Sequence, residues 1–387
     1  MYHSLNDDLQ ARFGCKVYKL ALDGGMTCPN RDGTCGTGGC IFCGARGGGD
    51  FAASGGDIPA QLADARARVA AKGPAKYIAY FQNFSNTYAP AERLRALYEA
   101  AMAPDDVGAL SVATRPDCLG EDVLALLSEL NRKKPVWVEL GLQTIHPATA
   151  RYIRRGWDLP VFDEAVKRLK ALGLTVVVHM ILGLPGETAS MMYDTVRYIG
   201  QSGADGVKFH LLHVLDDADL CADYQAGKFR TLELDEYVAL LAECVRLTPP
   251  EMVIHRLTGD GAKRHLVAPL WSGDKKRVLN TIRRYFETEH VVQGEHLHWP
   301  PEMELLTIYD DDLRPIGAAP RQEAHEQGLW HQVVHCWVAS HGPDGIRLWF
   351  QRRAFSKKDY PGQYDLAVGG HVDHGEDWRD AMARELR

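Results

Sequence analysis

The chain reads as an α/β protein: a partial (βα)6, TIM-like barrel of parallel strands over residues 1–298, followed by an incomplete α+β segment over 299–387. Short apolar runs alternate with amphipathic helical stretches for six rounds, which implies a parallel sheet with crossover helices. Polar residues recur with period two on strands that should be apolar on both faces. After about Pro300 the alternation stops and the texture changes.

Taken in order, strands are expected at 17–22, 77–81, 109–113, 136–142, 175–184 and 207–215. Helices are expected at 58–71, 91–102, 121–132, 160–172 and 190–201, each with apolar residues at helical spacing and most bounded by Gly or Pro. The Gly-rich stretch 44–56 is a loop, and a helix over 232–247 closes the unit. Further strands are expected at 305–309, 331–339 and 346–351, with no βα alternation.

At 387 residues the chain exceeds the roughly 250–300 at which a single core stops growing, so two domains are expected. Apolar and charged fractions of 45% and 25% are those of a globular protein. No stretch reaches the ~18 uninterrupted apolar residues of a membrane span. The N-terminus carries acidic and polar residues where a secretory signal needs a basic start and an apolar run, so a cytoplasmic location is expected. A net charge of −7 argues against a chain-wide electrostatic grip on nucleic acid.

Nine cysteines are too sparse for a disulfide scaffold, and five of them fall between Cys15 and Cys43. That clustering points to metal binding in a reducing compartment. Cys28, Cys40 and Cys43 form a three-thiolate cradle directly after the first strand. Iron–sulfur clusters take thiolates, and three of them leave one iron of a [4Fe–4S] cubane open to another ligand. Zinc is the competing metal, because Cys40-x-x-Cys43 is also half of a zinc ribbon and Cys35 could supply a fourth sulfur. A zinc knuckle brings a second close pair, whereas Cys35 stands alone.

On the later strands, Glu139, Gly141 and Gln143 share a face, as do His179, Ile181 and Gly183, and Lys208, His210 and Leu212. These faces are assigned to the barrel interior, where functional groups gather at the C-terminal ends of strands. Lys208 and His210 are the candidate catalytic pair; with His213 they suit an anionic group or a proton relay.

The cysteine loop with Phe42 before its last cysteine, the phrases Cys28-Pro29-Asn30-Arg31-Asp32-Gly33, Glu139-Leu140-Gly141-Leu142-Gln143-Thr144 and Gly183-Leu184-Pro185-Gly186-Glu187, and the run from Val253 to Asp260 together resemble the radical S-adenosylmethionine (radical SAM) superfamily. The likeness is to its elongator-type and coproporphyrinogen oxidase-type branch. It implies a cluster on Cys28, Cys40 and Cys43 whose open iron chelates S-adenosylmethionine, and a 5′-deoxyadenosyl radical that takes a hydrogen atom from substrate. It also implies Phe42 near the adenine and Gln143 with Arg155 on the methionine carboxylate. Gln82 or Asn83 replaces a glycine-rich turn at the amino group, His179 stands where some relatives use a carboxylate for ribose, and Glu139 and Ile181 complete the cofactor contacts. The electron would come from a donor such as flavodoxin or ferredoxin.

Gly370, Glu376, Arg384 and Glu385 have the spacing that opens a Nudix box, and the phrases around Trp330, Gln351-Arg352-Arg353 and 357–362 resemble the first strands of a Nudix hydrolase. The next pair of glutamates, which would complete a magnesium site, does not follow, so the segment is expected to be a truncated Nudix-like module without diphosphatase activity. Two alternatives remain open on the sequence. One is a Nudix diphosphohydrolase; the other is a zinc- or cluster-bearing RNA-binding module, suggested by the basic residues near Arg151 and Lys275.

Overall fold

The computed structural model describes residues 2–47, 52–53, 55–73, 75–259, 263–297, 305–342, 345–352 and 363–386. Asp260, Arg353, the 357–362 phrase and the expected boundary at 298/299 lie outside the described residues, as does part of the 44–56 loop. The chain divides into two compact units, one of Met1–Glu187 and Met191–Leu297, the other of Thr188–Ser190 and His298–Arg387.

The first unit is built on a seven-stranded sheet in which chain order equals spatial order. Its strands are β1 (Val17–Leu22), β2 (Lys76–Phe81), β3 (Val107–Thr114), β4 (Val136–Gln143), β5 (Thr175–Leu182), β6 (Gly206–Leu211) and β7 (Val253–Arg256). Every neighbouring pair is parallel, so each crossover needs a connection long enough for a helix. Six strands appear where expected, although the 207–215 run stops at Leu211 and Val214–Leu215 pairs antiparallel with Leu266–Ala268 instead; β7 adds a seventh. The curled sheet with its covering helices is a half-barrel of the TIM-like kind.

The crossover helices follow from their apolar spacing. In Leu159–Ala171, Asp158 precedes a proline in the first turn, and Phe162, Ala165, Val166 and Leu169 are all buried at i, i+3, i+4 and i+7. Burying Phe162, Val166 and Leu169 contributes roughly 1.5–3 kcal/mol each. Leu234–Leu247 starts with a reciprocal cap between Glu233 and Glu236 and buries Tyr237, Leu241 and Cys244. The sheet itself is buried on both faces, with Ile78, Leu110, Val138, Val178 and Phe209 fully enclosed.

The register brings the polar face into one layer. Glu139 lies opposite Ala113 and Val177, Gly141 opposite His179, His179 opposite Lys208, and Lys208 opposite Arg256. Between Gly141 and Gln143 the pairing with β5 slips, and Gln143 takes a φ of 68°. A non-glycine residue in that region is uncommon and marks a place where the backbone re-aims a side chain.

The second unit is antiparallel. Leu305–Tyr309 pairs with Pro315–Pro320 and Trp330–His331, Val333–Cys336 with Val368–His371, and Gly345–Arg352 with Val338–Gly342 and Tyr364–Leu366. The expected single run over 331–339 is therefore divided among three strands. Arg384 holds Glu376 through Nε at 3.1 Å and Nη2 at 2.9 Å. A Cβ at Gly370 would lie 2.3 Å from the end of the Glu385 side chain, so a larger residue there would displace that carboxylate.

Candidate functional site

Between Cys28 and Cys43 the chain has no helix or strand and is knit by turns. Arg31 and Asp32 N–H donate to the Cys28 carbonyl at 2.8 and 3.2 Å, Cys35 N–H to Pro29 at 2.8 Å, Gly39 N–H to Asn30 at 2.7 Å and Cys43 N–H to Cys40 at 2.9 Å. The loop is then tied to the sheet's C-terminal edge. Ile41 N–H donates to Ile153, Leu220 N–H donates to Ile41, and Asp217 accepts from Ala45 N–H at 2.8 Å. A Cβ at Gly44 would fall 2.7 Å from the Asp217 carboxylate, so this close approach requires glycine.

All three thiols open onto one cavity of about 290 Å³, whose wall includes Phe42, Gln82, Glu139, Gln143, Arg155, His179, Ile181 and His210. Cys28 faces Ser85 Oγ at 3.7 Å and Arg115 Nη1 at 4.0 Å, while Asn30 Nδ2 lies 3.6 Å from Cys40 Sγ. Burial, then the charge of Cys40, pushes the Cys43 thiol up to about 12, and burial raises Cys40 as well. Sulfurs so placed ionise when a metal takes the proton's place. Cys35 is exposed and does not line the cavity.

Arg155 is buried and largely committed to the backbone. Its Nη1 donates to the carbonyls of Leu142 at 3.1 Å and Thr144 at 2.6 Å, its Nε and Nη2 donate to Trp157 at 3.2 and 3.1 Å, and it stacks 3.8 Å from the Trp157 ring. It thereby fixes the end of β4. Asn83 is buried away from the cavity wall, with Oδ1 unpartnered.

At the closed end, Glu139 is fully buried and accepts hydrogen bonds from four strands. Oε1 receives Lys19 Nζ at 2.7 Å and Ser111 Oγ at 2.6 Å; Oε2 receives His179 Nε2 at 2.8 Å and the Lys208 ammonium. Burial alone would raise this carboxyl, but Lys19, Lys208 and His179 hold it well below the usual carboxylate range. Lys208 does not line the cavity; it lies behind Tyr80, 3.2 Å from the phenol oxygen. His210 lines it, and its ring centroid is 5.0 Å from that of His179.

Burial, then the charge of Lys208, lowers His179 to about 4, and burial drives His210 and His255 well below the ordinary histidine value. All three are therefore neutral near pH 7. Because the unfolded chain binds protons near pH 6.5 that these rings refuse, the stability they confer is complete above that pH and is lost as pH falls toward 4. His179 alone is expected to remove roughly 3 kcal/mol by pH 4. Urea unfolding at pH 7, 5.5 and 4.5 measures this; a flat profile would show that the rings titrate normally in the fold.

Spacing on β4, β5 and β6 pointed to Glu139, Gln143, His179, Ile181 and His210, and the structure brings these to one cavity with the three cysteines. Lys19, Ser111, Tyr80, Arg115 and Arg256 also belong to this cavity or its buried layer; Arg256 lies in the 253–260 run that carries the resemblance, while nothing in the local sequence singles out Lys19, Ser111 or Tyr80. In the second unit, His325, His331 and His371 hold ring nitrogens within 4.8 Å of one another. No helix is long and apolar enough to cross a membrane.

The first unit is similar in fold to the solved Elp3 of the archaeon Methanocaldococcus infernus, with a TM-score of 0.56 at 19% identity, covering 72% of this chain and 64% of that one. The chain is 46% identical over 296 residues to the protein YtqA of Bacillus subtilis, covering 76% of this chain and 92% of YtqA. A separate match, 40% identical over 86 residues, is to a Nudix hydrolase of Clostridium acetobutylicum; it takes in 22% of this chain and 41% of that relative. Residues 32–199 match the radical SAM superfamily and residues 204–288 the Radical_SAM C-terminal domain. With the half-barrel and the cysteine loop at its C-terminal edge, these matches make the chain a member of the radical SAM superfamily, and an enzyme.

Proposed function

We propose that residues 1–298 hold a [4Fe–4S] cluster through Cys28, Cys40 and Cys43, bind S-adenosylmethionine over the open iron, and abstract a hydrogen atom from a substrate seated deeper in the cavity. When bound, cluster and cofactor supply a 5′-deoxyadenosyl radical after one-electron reduction by a donor such as flavodoxin or ferredoxin. The observation that carries this reading is the convergence of three thiols on a single cavity whose wall also carries Phe42, Glu139, Gln143, Arg155 and His179.

The donor set fits the group. Four-coordinate zinc at Zn–S bonds of about 2.3 Å would draw thiolates to about 3.8 Å of one another. Among the described residues, the groups whose ligand atoms all lie within 4.8 Å do not include these cysteines. The wider cradle suits a cubane, where each thiolate meets a different iron.

The chain's own residues orient and enclose. Phe42 offers an aromatic face to the adenine, and Gln143, re-aimed by the slipped register, offers an amide to the methionine end. Arg155 shapes that end by fixing the backbone of Leu142, Thr144 and Trp157, with its charge directed to the cofactor carboxylate. Gln82 takes the amino group. Asn83 keeps an unpartnered oxygen beside the same turn. His179, donating Nε2–H to Glu139, keeps its other nitrogen as an acceptor for a ribose hydroxyl. Ile181 and Leu212 exclude water from the reacting region. Residues 299–387 form a separate Nudix-like segment.

Anaerobic reconstitution with iron and sulfide, electron paramagnetic resonance with and without S-adenosylmethionine, and an assay for 5′-deoxyadenosine test the reading. A cluster signal that shifts with the cofactor, accompanied by 5′-deoxyadenosine, is expected. Tightly bound zinc with no cleavage would overturn it.

A further inference from the structure

We propose that Asn30 and Ser85 are positioning residues that raise the reduction potential of the cluster, each through one hydrogen bond to a cysteine sulfur. This rests on the function proposed above. Ser85 Oγ lies 3.7 Å from Cys28 Sγ, and Asn30 Nδ2 lies 3.6 Å from Cys40 Sγ. Both side chains are enclosed, Ser85 at 1% and Asn30 at 4% exposure.

The fold fixes the direction of each donor. One hydrogen of Asn30 Nδ2 goes to the Arg154 carbonyl, which leaves the other for Cys40. A flipped amide would set Oδ1 against that carbonyl. Oδ1 instead faces Gly36 and Gly156, where a Cβ would stand 3.1 and 3.0 Å from it. The Asn30 carbonyl is held as well, accepting from Gly39 N–H at 2.7 Å. Ser85 is held by the turn after β2. Its N–H donates to the carbonyl of Thr27, the residue before Cys28, at 3.2 Å. The next residue, Asn86, donates through Nδ2 to the carbonyls of Phe81 and Ala113 at 3.1 and 2.9 Å. Cys118 is the other sulfur beside the Ser85 hydroxyl. A thiol accepts weakly, whereas a thiolate ligand takes a charge-assisted bond, so the hydroxyl belongs to Cys28.

Reduction adds one negative charge to a cluster that three thiolates already make anionic, in a cavity where charge is poorly screened. N–H and O–H dipoles aimed at the sulfurs stabilise the added charge and so favour the reduced state. Arg115 Nη1 stands farther off, 4.0 Å from Cys28 Sγ, and its guanidinium is paired with Asp117 at 2.8 and 2.6 Å. Asn30 and Ser85 carry no charge and act through the direction of their dipoles. A higher potential eases delivery of the electron from its donor.

The test is a redox titration of the full, reconstituted chain without S-adenosylmethionine, followed by electron paramagnetic resonance. Ser85→Ala and Asn30→Ala should each move the midpoint to more negative values at unchanged iron content. The double variant should lie at least about 59 mV below the parent, a tenfold change in the one-electron equilibrium. Electron–nuclear double resonance in H₂O and D₂O should show one exchangeable proton coupling fewer in Ser85→Ala. An iron-replete Ser85→Ala protein at the parent's potential would overturn the proposal. Loss of iron in that variant would also overturn it, because the hydroxyl would then hold the loop rather than tune the cluster. The same preparations are assayed for 5′-deoxyadenosine once the cofactor is added. Cleavage with unmoved potentials refutes this inference alone, whereas a chain that assembles no iron–sulfur cluster refutes the function on which it rests.

Discussion

Cys40→Ala is expected to reduce bound iron from about four atoms per chain to near background and to abolish 5′-deoxyadenosine formation. Two thiolates cannot hold a cubane against solvent when the third corner is a methyl group. Cys35 is the nearest cysteine in sequence, but its side chain is exposed and off the cavity. Cys35→Ala should therefore retain iron and activity, and the pair of variants separates ligand from bystander. The fold should survive in both, because the loop's backbone bonds to Asn30, Ile153 and Asp217 remain. Retained cluster and cleavage in Cys40→Ala would remove it from the ligand set.

Alternation of apolar runs and amphipathic stretches revealed six of the seven parallel strands, because a strand buried on both faces must be apolar along its length. β7 escaped since Val253–Arg256 is four residues long and half polar, too short for a periodic signal. Period two placed Glu139, His179 and His210 on inward faces, yet it could not say which groups meet. Lys19 reaches Glu139 across 120 residues of sequence, and that meeting is set by the register of the four strands β1 to β4. Only the family resemblance pointed to Arg155 after β4. The direction of its donors, toward three backbone carbonyls, depends on how the chain turns after Gln143, and the slipped register there has no sequence signature.

Glu139→Gln is expected to destabilise the first unit by about 3–5 kcal/mol, the cost of leaving buried charge without its counter-ion. Gln keeps one acceptor oxygen but loses the charge that holds the ammonium of Lys19 and of Lys208, the latter only 3% exposed. It also brings an N–H₂ against His179 Nε2–H, so the ring must change tautomer or lose its bond. Urea unfolding at pH 7 measures the loss; a change below about 1 kcal/mol would show that the lysines shed their protons at little cost. The cost of removing one partner does not show that the layer exists for stability, because replacing a whole buried ionic group with apolar side chains of similar volume is often neutral or stabilising. The triple variant Lys19→Met, Glu139→Leu, Lys208→Met separates the two roles. If the layer serves the reaction, the triple variant should unfold at urea concentrations near those of the parent protein and keep its iron, while turnover of substrate is lost. A triple variant as unstable as Glu139→Gln would instead make the layer a structural core that happens to be polar. The stability of the single variant and the chemistry of the triple one therefore answer different questions about the same carboxylate.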